Sequence, residues 1–316
     1  MSAAAVSLQR LRRVFGDTTA VDGLTFDVPP GTLFGIVGPD GAGKTTTLRI
    51  LAGVLRPSGG TAFVHGVDVG KDPEKVKPGI AYMAQRFGLY EDLTVEENLD
   101  FYADLYGVAR RERPARLKRL YDFSGLGPFR TRRTGALSGG MKQKLSLSCC
   151  LVHRPRVLLL DEPTFGVDPI SRRELWTILH EMVSEGVTVV LTTSYLDEAE
   201  RCDRVAMLDA GGLLALDDPR TLRASLSGTV WSIRVDRPRA ARDLLRADAR
   251  VENASLFGEE IHAVTQNDVT ASAVADILSA GGGVTTGDDD DIRVIEPSLE
   301  DVFIQLVGEH RGGGDA

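Results

Sequence analysis

The chain has 316 residues, of which 42% are hydrophobic and 26% charged, the ordinary balance of a soluble globular protein. No apolar run approaches the roughly 18 residues that a membrane span needs, and the N-terminus lacks the apolar core of a secretory signal. A net charge of −8 argues against nucleic acid as the main partner. We therefore expect a cytoplasmic protein that does not insert into lipid directly.

Apolar, β-branched segments alternate with helical patterns through the first two thirds of the chain, which predicts an α/β core with a largely parallel sheet. The first segments, 6–15 and 24–28, predict an antiparallel β subdomain. Segments 33–37, 157–160 and 187–192 are short, continuous and apolar, which is typical of strands buried on both faces.

The segment GPDGAGKTT at 38–46 fits the pattern G-x-x-x-x-G-K-[ST] and lies between a predicted strand and a predicted helix. Its glycines let backbone N–H groups converge on a β-phosphate at the positive end of the helix. We expect Lys44 between the β- and γ-phosphates and the Thr45 hydroxyl on Mg²⁺. The predicted nucleotide-binding residues of this phosphate loop are Gly38, Pro39, Asp40, Gly41, Ala42, Gly43, Lys44, Thr45 and Thr46.

Helical periodicity replaces the β pattern between about residues 94 and 136, which predicts a helical insertion in the α/β core. The segment LSGGMKQ follows at 137–143 and opens a further helix. Ser138 with Gly139 and Gly140 at a helix start is typical of an anion site. A serine helix cap would explain Ser138 alone, but it leaves the glycine pair unexplained.

The segment RVLLLDEP at 156–163 places two acidic residues at the end of a buried strand. Asp161 is predicted to hold the Mg²⁺ shell, and Glu162 to polarise an attacking water as a general base. The three cysteines have no metal-ligand or disulfide spacing, so we expect them to be reduced and structural.

Beyond a boundary near 225–228, the order strand, helix, strand, strand, helix, strand predicts a small α+β, ferredoxin-like domain over 228–308. The tail at 309–316 is predicted to be disordered. The aspartate run 288–291 is interpreted as a solvated turn, although a cation site is the alternative.

The phosphate loop, LSGGMKQ and VLLLDEP occur in the order found in the ATP-binding subunits of ABC transporters, and the chain resembles that family from residue 5 to about 220. Within it, the chain resembles the exporter group that works with separate ABC-2-type membrane subunits, and EPSLEDVFIQLVG at 296–308 resembles the end of such ATPases. The resemblance implies a P-loop NTPase core of the RecA-like type.

The resemblance also implies that two such domains meet head to tail, each closing its LSGG segment over the γ-phosphate held by the other. Two phosphate sites would thus serve two different ATP molecules. The implied contacts across the dimer are Ser138, Gly139, Gly140 and Gln143, with Asp168 communicating between subunits.

Two further positions carry over from the family. Phe15, 23 residues before Gly38 (38 − 15), stands where the family places an adenine-stacking tyrosine; a core aromatic is the alternative. Gln85 matches the glutamine that touches Mg²⁺ or attacking water and links to the membrane-facing insertion.

Ser194 departs from the family, which usually has a histidine at this position in contact with the γ-phosphate. Serine donates a hydrogen bond but carries no charge. Either the site hydrolyses ATP slowly through Glu162 alone, or the active assembly contains a different ATPase chain that has the histidine. We keep Ser194 as a candidate catalytic residue and expect retained but altered hydrolysis.

The leading hypothesis is an exporter ATPase that binds ATP and Mg²⁺. It would dimerise with a second copy or a related ATPase chain, and it would attach to the inner face of the cell membrane through ABC-2-type permease subunits. A soluble ABC-type ATPase that is not coupled to transport is the alternative. A small-molecule P-loop kinase would leave LSGGMKQ unexplained.

Overall fold

The computed structural model describes residues 4–86, 88–280 and 291–312, and the chain forms two compact units, Met1–Asp218 and Pro219–Ala316. The strands of the first unit are β1 (Val6–Phe15), β2 (Thr18–Val28), β3 (Leu33–Val37), β4 (Gly59–Val64), β5 (Val67–Asp68), β6 (Ile80–Met83), β7 (Val157–Asp161), β8 (Thr188–Thr193), β9 (Arg204–Asp209) and β10 (Gly212–Asp217). Its α-helices are α1 (Lys44–Leu51), α2 (Pro73–Val76), α3 (Val95–Leu105), α4 (Arg113–Ser124), α5 (Gly139–Leu151), α6 (Pro169–Ser184) and α7 (Leu196–Ala199). Within the described ranges, no helix is both long enough and apolar enough to cross a membrane.

A six-stranded sheet in the order β10-β9-β3-β8-β7-β6 forms the centre of the first unit. β3 pairs in parallel with β8 and β9, and β7 pairs in parallel with β6 and β8, whereas β10 runs antiparallel to β9. Every residue of β3, β7 and β8 is buried, as expected for strands covered on both faces. Because the strands are parallel, the loops that follow β3, β7 and β8 meet at one edge of the sheet.

An antiparallel sheet in the order β2-β1-β4-β5 adjoins this core, and the predicted pairing of the first two strands is present. Its buried apolar residues, among them Leu8, Leu11 and Leu24, pack in the same hydrophobic cluster as Leu48 and Ile50 of α1. This packing fixes the helix that carries the phosphate loop.

Helices α3 and α4 form the predicted insertion, and the two ends of this segment are joined to each other. Thr94 caps α3 by accepting a hydrogen bond from the Glu97 backbone N–H, while the Glu97 carboxylate accepts from the Thr94 N–H at 2.8 Å. A β-bridge pairs Thr94 with Arg133, and the buried Asn98 amide donates to Thr134 Oγ1 at 2.9 Å. These contacts join the beginning of the insertion, at residues 94 and 98, to its end, at residues 133 and 134.

The second unit contains α8 (Pro219–Ala224), β11 (Thr229–Arg234), α9 (Pro238–Ala247), β12 (Val251–Phe257), β13 (Glu260–Thr265), α10 (Ala271–Ala280), β14 (Ile292–Ile295) and α11 (Leu299–Gly312). Its four strands form an antiparallel sheet in the order β12-β13-β11-β14, the order of a ferredoxin-like βαββαβ unit. Apolar residues from these strands and from α9 and α10 form a separate core.

Two boundaries differ from the sequence-based prediction. The units divide between Asp218 and Pro219, before the expected position near 225–228, because α8 contacts α11 and so groups with the second unit. Helix α11 continues to Gly312, so the prediction of disorder from residue 309 is wrong for 309–312. Residues 313–316, and 288–290 of the aspartate run, lie outside the described residues.

Candidate nucleotide-binding and hydrolysis site

The phosphate loop connects β3 to α1 and requires glycine at two positions. Gly43 precedes α1 with φ +94°, and a Cβ atom there would approach the Ala20 carbonyl oxygen to 2.4 Å. Gly38 has φ +155°, and its Cβ would lie 2.2 Å from the Leu208 carbonyl oxygen. The loop therefore packs directly against the backbones of β2 and β9, and it leads into the first turn of α1.

Lys44 is the first residue of α1 and is 5% exposed. Its ammonium group donates to the carbonyl oxygens of Gly38 (2.7 Å) and Pro39 (3.0 Å) and to Ser194 Oγ (2.9 Å). Burial lowers the pKa of Lys44, while nearby carboxylates, led by that of Glu162, act in the opposite direction. A phosphate in the loop would take over hydrogen bonds that the lysine now makes to its own subunit.

Asp161 ends β7 and is nearly fully buried among hydroxyl groups. Its Oδ1 accepts from Thr45 Oγ1 and Thr192 Oγ1, both at 2.8 Å, and its Oδ2 accepts from Tyr82 OH at 3.3 Å. Burial and the Asp161 charge raise the pKa of Tyr82, so this phenol remains a neutral donor.

The oxygen pair of Thr45 and Asp161 fits Mg²⁺, which is commonly held by one or two protein oxygens together with waters and phosphates. No group of three or more His, Cys, Asp or Glu residues suited to a metal occurs among the described residues. A pair of protein oxygens suits a Mg²⁺ ion whose other ligands are waters and nucleotide phosphates.

Glu162 follows Asp161 at a sharp turn, where its backbone has φ +50°. This uncommon conformation is fixed by Thr192, whose Oγ1 accepts from the Glu162 N–H at 3.0 Å. The carboxylate accepts from Ser194 Oγ on Oε1 (3.0 Å) and from Gln85 Nε2 on Oε2 (3.0 Å), and Lys44 Nζ lies 3.8 Å from Oε1.

Residues predicted from four separate segments thus converge at one edge of the sheet: the phosphate loop, Gln85, residues 161–162 and Ser194. Ser194 contacts both Lys44 and Glu162, and its oxygen also lies 3.5 Å from Asp40 Oδ1. Gln85, which was predicted to touch Mg²⁺ or water, directs its amide to Glu162.

The LSGG segment begins α5, with Ser138 as the N-cap that accepts from the Met141 N–H at 3.3 Å. Ser138 and Gly139 are exposed, whereas Gly140 is buried against α6, where a Cβ atom would come within 2.3 Å of Ser171 Oγ. Ser138 and Gly139 are therefore accessible to a ligand or a partner subunit at the N-terminus of α5.

Gln143 differs from the prediction. Its side chain is 4% exposed and donates to the Pro163 carbonyl oxygen within its own subunit. A buried amide in this position is not available to a nucleotide held by another subunit, so the described structure does not support Gln143 as a contact across the dimer.

Asp168 and Phe15 lie at the ends of their elements. Asp168 caps α6, where its Oδ1 accepts from the N–H groups of Ser171 (3.0 Å) and Ile170 (3.1 Å), and these bonds lower the pKa of Asp168.

Phe15 is 45% exposed at the end of β1, with the Arg13 guanidinium carbon 4.4 Å from its ring centroid. The alternative of a core aromatic is thereby wrong.

Three residues of the site were not predicted: Tyr82, Thr192 and Glu198. Tyr82 and Thr192 bond Asp161, and Glu198 is a buried carboxylate that accepts from Thr164 and Thr193. Thr192 could have been identified from the sequence by its position two residues before Ser194.

Comparison with known proteins decides the family. A family model described as "ABC transporter" matches residues 21–165. The probable multidrug ABC transporter ATP-binding protein YbhF of Escherichia coli is 43% identical over 312 residues, 98% of this chain and 53% of that protein. The daunorubicin resistance ATP-binding protein DrrA2 of Streptomyces coeruleorubidus is 35% identical over 98% of this chain and 97% of its own length. The chain belongs to the ATP-binding proteins of ABC transporters.

Solved structures agree with this assignment. The structure of the ATP-binding subunit of an ABC transporter is 29% identical, with a TM-score of 0.64, over 70% of this chain and 92% of the other. The predicted family and the P-loop NTPase fold are confirmed, and ATP is the nucleotide that the family binds. The ABC chain described here spans about half the length of YbhF and nearly all of DrrA2.

Proposed function

We propose that this chain is the ATP-hydrolysing subunit of an ABC exporter, which dimerises head to tail and drives separate ABC-2-type membrane subunits. The observation that carries the hydrolysis is the placement of Glu162 between Lys44, Ser194 and Gln85, next to the Thr45–Asp161 oxygen pair. Export is supported by relatives such as DrrA2, whose name states resistance to daunorubicin.

In the proposed reaction, the phosphate loop binds the β- and γ-phosphates through its N–H groups, and Lys44 turns its ammonium toward their oxygens. Thr45 and Asp161 would hold Mg²⁺, which neutralises charge on the phosphates when bound. Glu162 accepts a proton from the attacking water, and Gln85 and Ser194 hold the carboxylate in position. Phe15 would stack on the adenine.

Closure by a second subunit completes the proposed site. Ser138 and the N–H groups of Gly139 and Gly140 would contact the γ-phosphate held by the partner, and Asp168 would lie near the junction. Loss of the γ-phosphate removes what both surfaces bind, so the dimer would open. Gln85 and the insertion α3–α4 would pass this movement to the membrane subunits from the cytoplasmic side.

The proposal is tested by ATP hydrolysis of the purified chain with Glu162→Gln as the comparison. We expect the variant to bind ATP and to lose turnover by about 100-fold or more, because the amide cannot accept the proton. Asp197→Asn, which alters an exposed acidic residue nearby, should keep the original rate. Equal rates for Glu162→Gln and the original chain would overturn the assignment of Glu162.

Coupling to export needs its own test. Co-expression with an ABC-2-type permease should bring the chain into washed membranes, and the permease should raise its turnover. An ATPase that stays in the soluble fraction with the permease present would favour a soluble ABC ATPase instead. Turnover only after addition of another ATPase chain would favour a mixed pair.

A further inference from the structure

Glu198 is a buried carboxylate in the short helix α7, and it has no role in the proposed reaction. It is 1% exposed, and its Oε2 accepts from Thr164 Oγ1 at 2.6 Å and Thr193 Oγ1 at 3.0 Å. Thr164 is two residues after Glu162, and Thr193 directly precedes Ser194. One carboxylate oxygen therefore joins the two loops that carry the groups facing the phosphate.

The second oxygen of Glu198 faces α6. Glu198 Oε1 lies 3.4 Å from Arg172 Nε, and neither atom has a hydrogen-bond partner among the described residues. The Arg172 guanidinium carbon also lies 5.3 Å from the ring centroid of Tyr195. A buried carboxylate is tolerated only when a cation and donors compensate for the lost water, so Glu198 depends on Arg172.

Arg172 extends this connection to the LSGG helix. It lies in the first turn of α6, next to Ser171, and Ser171 packs so closely on Gly140 of α5 that a Cβ atom there would be 2.3 Å from its Oγ. Asp168, which caps the same turn, would lie 3.2 Å from that Cβ atom. A continuous set of contacts thus runs from the loops of Glu162 and Ser194 to the start of α5.

We propose that Glu198 is a positioning residue that, with Arg172, fixes the Glu162 and Ser194 loops to each other and to the LSGG helix of the same subunit. The pair, here called the Glu198–Arg172 brace, deepens the proposed function, since its kinetic consequence rests on hydrolysis by this chain. Its structural consequence does not depend on hydrolysis.

The test compares Glu198→Gln, Arg172→Met and the double variant with the original chain. We expect each single variant to lower kcat at least about tenfold, with the Kd of a non-hydrolysable ATP analogue within about threefold, because the brace touches neither Lys44 nor the phosphate loop. The double variant should recover at least about threefold in kcat over Arg172→Met, because it no longer buries an unpaired carboxylate. Asp197→Asn is the matched control for charge loss on α7.

Amide hydrogen exchange provides a readout that is independent of turnover. In Glu198→Gln, exchange in 162–168 and 193–196 should accelerate by about tenfold, while the phosphate loop at 38–46 remains unchanged. Additive kinetic effects of the two single variants, or unchanged exchange in both loops, would overturn the proposal. If the original chain does not hydrolyse ATP, the proposed function fails, and the exchange measurement still decides the brace.

Discussion

At the scale of single residues, Ser194 is the position at which this chain departs from the family, which usually has a histidine there. Its hydroxyl has one proton, and because the oxygen accepts from Lys44, that proton is directed to the nearest carboxylate oxygen, Glu162 Oε1. A neutral side chain thus connects a cation and an anion whose nitrogen and oxygen lie 3.8 Å apart. Serine here positions existing charges rather than supplying one.

Removal of this hydroxyl should affect turnover more than binding. For Ser194→Ala we expect kcat to fall by roughly tenfold, since one hydrogen bond to an ionised group contributes about 1.5–3 kcal/mol. The affinity for a non-hydrolysable analogue should change by about threefold or less, because the phosphate loop keeps its other donors. Ser194→Thr, which retains the hydroxyl, is the control.

Steady-state kinetics with isothermal titration of the analogue separates these effects. A Ser194→Ala variant with full turnover would show that Glu162 needs no help from this position. A loss of analogue binding by 100-fold or more would place Ser194 on the nucleotide instead of on Glu162.

The site residues differ in how far the sequence predicts them. Lys44, Asp161 and Glu162 follow buried strands in characteristic patterns, so their meeting at one sheet edge was predictable. The inward direction of Gln143 and the partners of Glu198 depend on packing between distant segments, such as Thr164 with Glu198. No local pattern encodes such contacts.

At the scale of elements, the segment EPSLED has a physical role as the start of α11. Ser298 Oγ accepts from the Asp301 N–H at 3.2 Å, while Asp301 Oδ2 accepts from the Ser298 N–H (2.8 Å) and hydroxyl (2.6 Å). Asp301 Oδ1 also bonds the Nδ1 of His262 on β13 at 3.0 Å. The capping residues thus join the terminal helix to the sheet.

This cap predicts a pH-dependent stability of the second unit. Although burial favours the protonated acid, hydrogen bonds from His262 and Ser298 lower the pKa of Asp301. A folded-state pKa below the ordinary value near 3.8 means that the stabilisation is complete above that pH and lost as pH falls through the folded-state pKa. We expect Asp301→Asn to lower the free energy of unfolding by about 1–2 kcal/mol at pH 7.

Urea unfolding followed by Trp231 fluorescence, in a Trp176→Phe background, reports on this unit. The difference between the original chain and Asp301→Asn should shrink as the pH falls below the ordinary value near 3.8 and through the folded-state pKa of Asp301, because both side chains are then uncharged. Ser298→Ala should lower stability in the same direction. A difference that does not narrow between pH 7 and the lowest pH at which the chain still folds would rule out the charged cap.

The predicted strands 6–15, 33–37, 157–160 and 187–192 agree with the structure to within one residue at each end, because complete burial or antiparallel pairing leaves a simple apolar pattern. The prediction 24–28 covers only the second half of β2, which begins at Thr18. The ends of helices were less predictable from the sequence. Helix α11 continues through residues that were predicted to be disordered because their neighbours are rich in glycine. The position of the unit boundary was missed because α8 belongs to the second unit through contacts with α11, which begins 80 residues after α8 begins (299 − 219).

At the scale of the whole molecule, the two proposed phosphate-binding features lie on separate elements of one chain. The phosphate loop precedes α1, whereas the exposed Ser138 and Gly139 begin α5. In the proposed head-to-tail dimer, each composite site combines the first feature of one subunit with the second of its partner. This arrangement is central to the proposed function, because it explains the LSGG segment as a contact to the γ-phosphate that the partner subunit holds.

Mixing two inactive variants tests that claim most directly. Lys44→Ala removes the ammonium of the phosphate loop, and Gly139→Asp places a carboxylate where the γ-phosphate would lie. The Cβ atom added at position 139 would fit within its own subunit, because it would lie 3.7 Å from the Gly166 carbonyl oxygen, an ordinary contact distance. Each variant alone should hydrolyse ATP at less than about 1% of the original rate, and Gly139→Ala controls for the added Cβ. The mixture should regain activity in proportion to the mixed dimer, because that dimer has one intact site. Full activity of Gly139→Asp alone, or no recovery on mixing two variants that both fold and associate, would contradict the account.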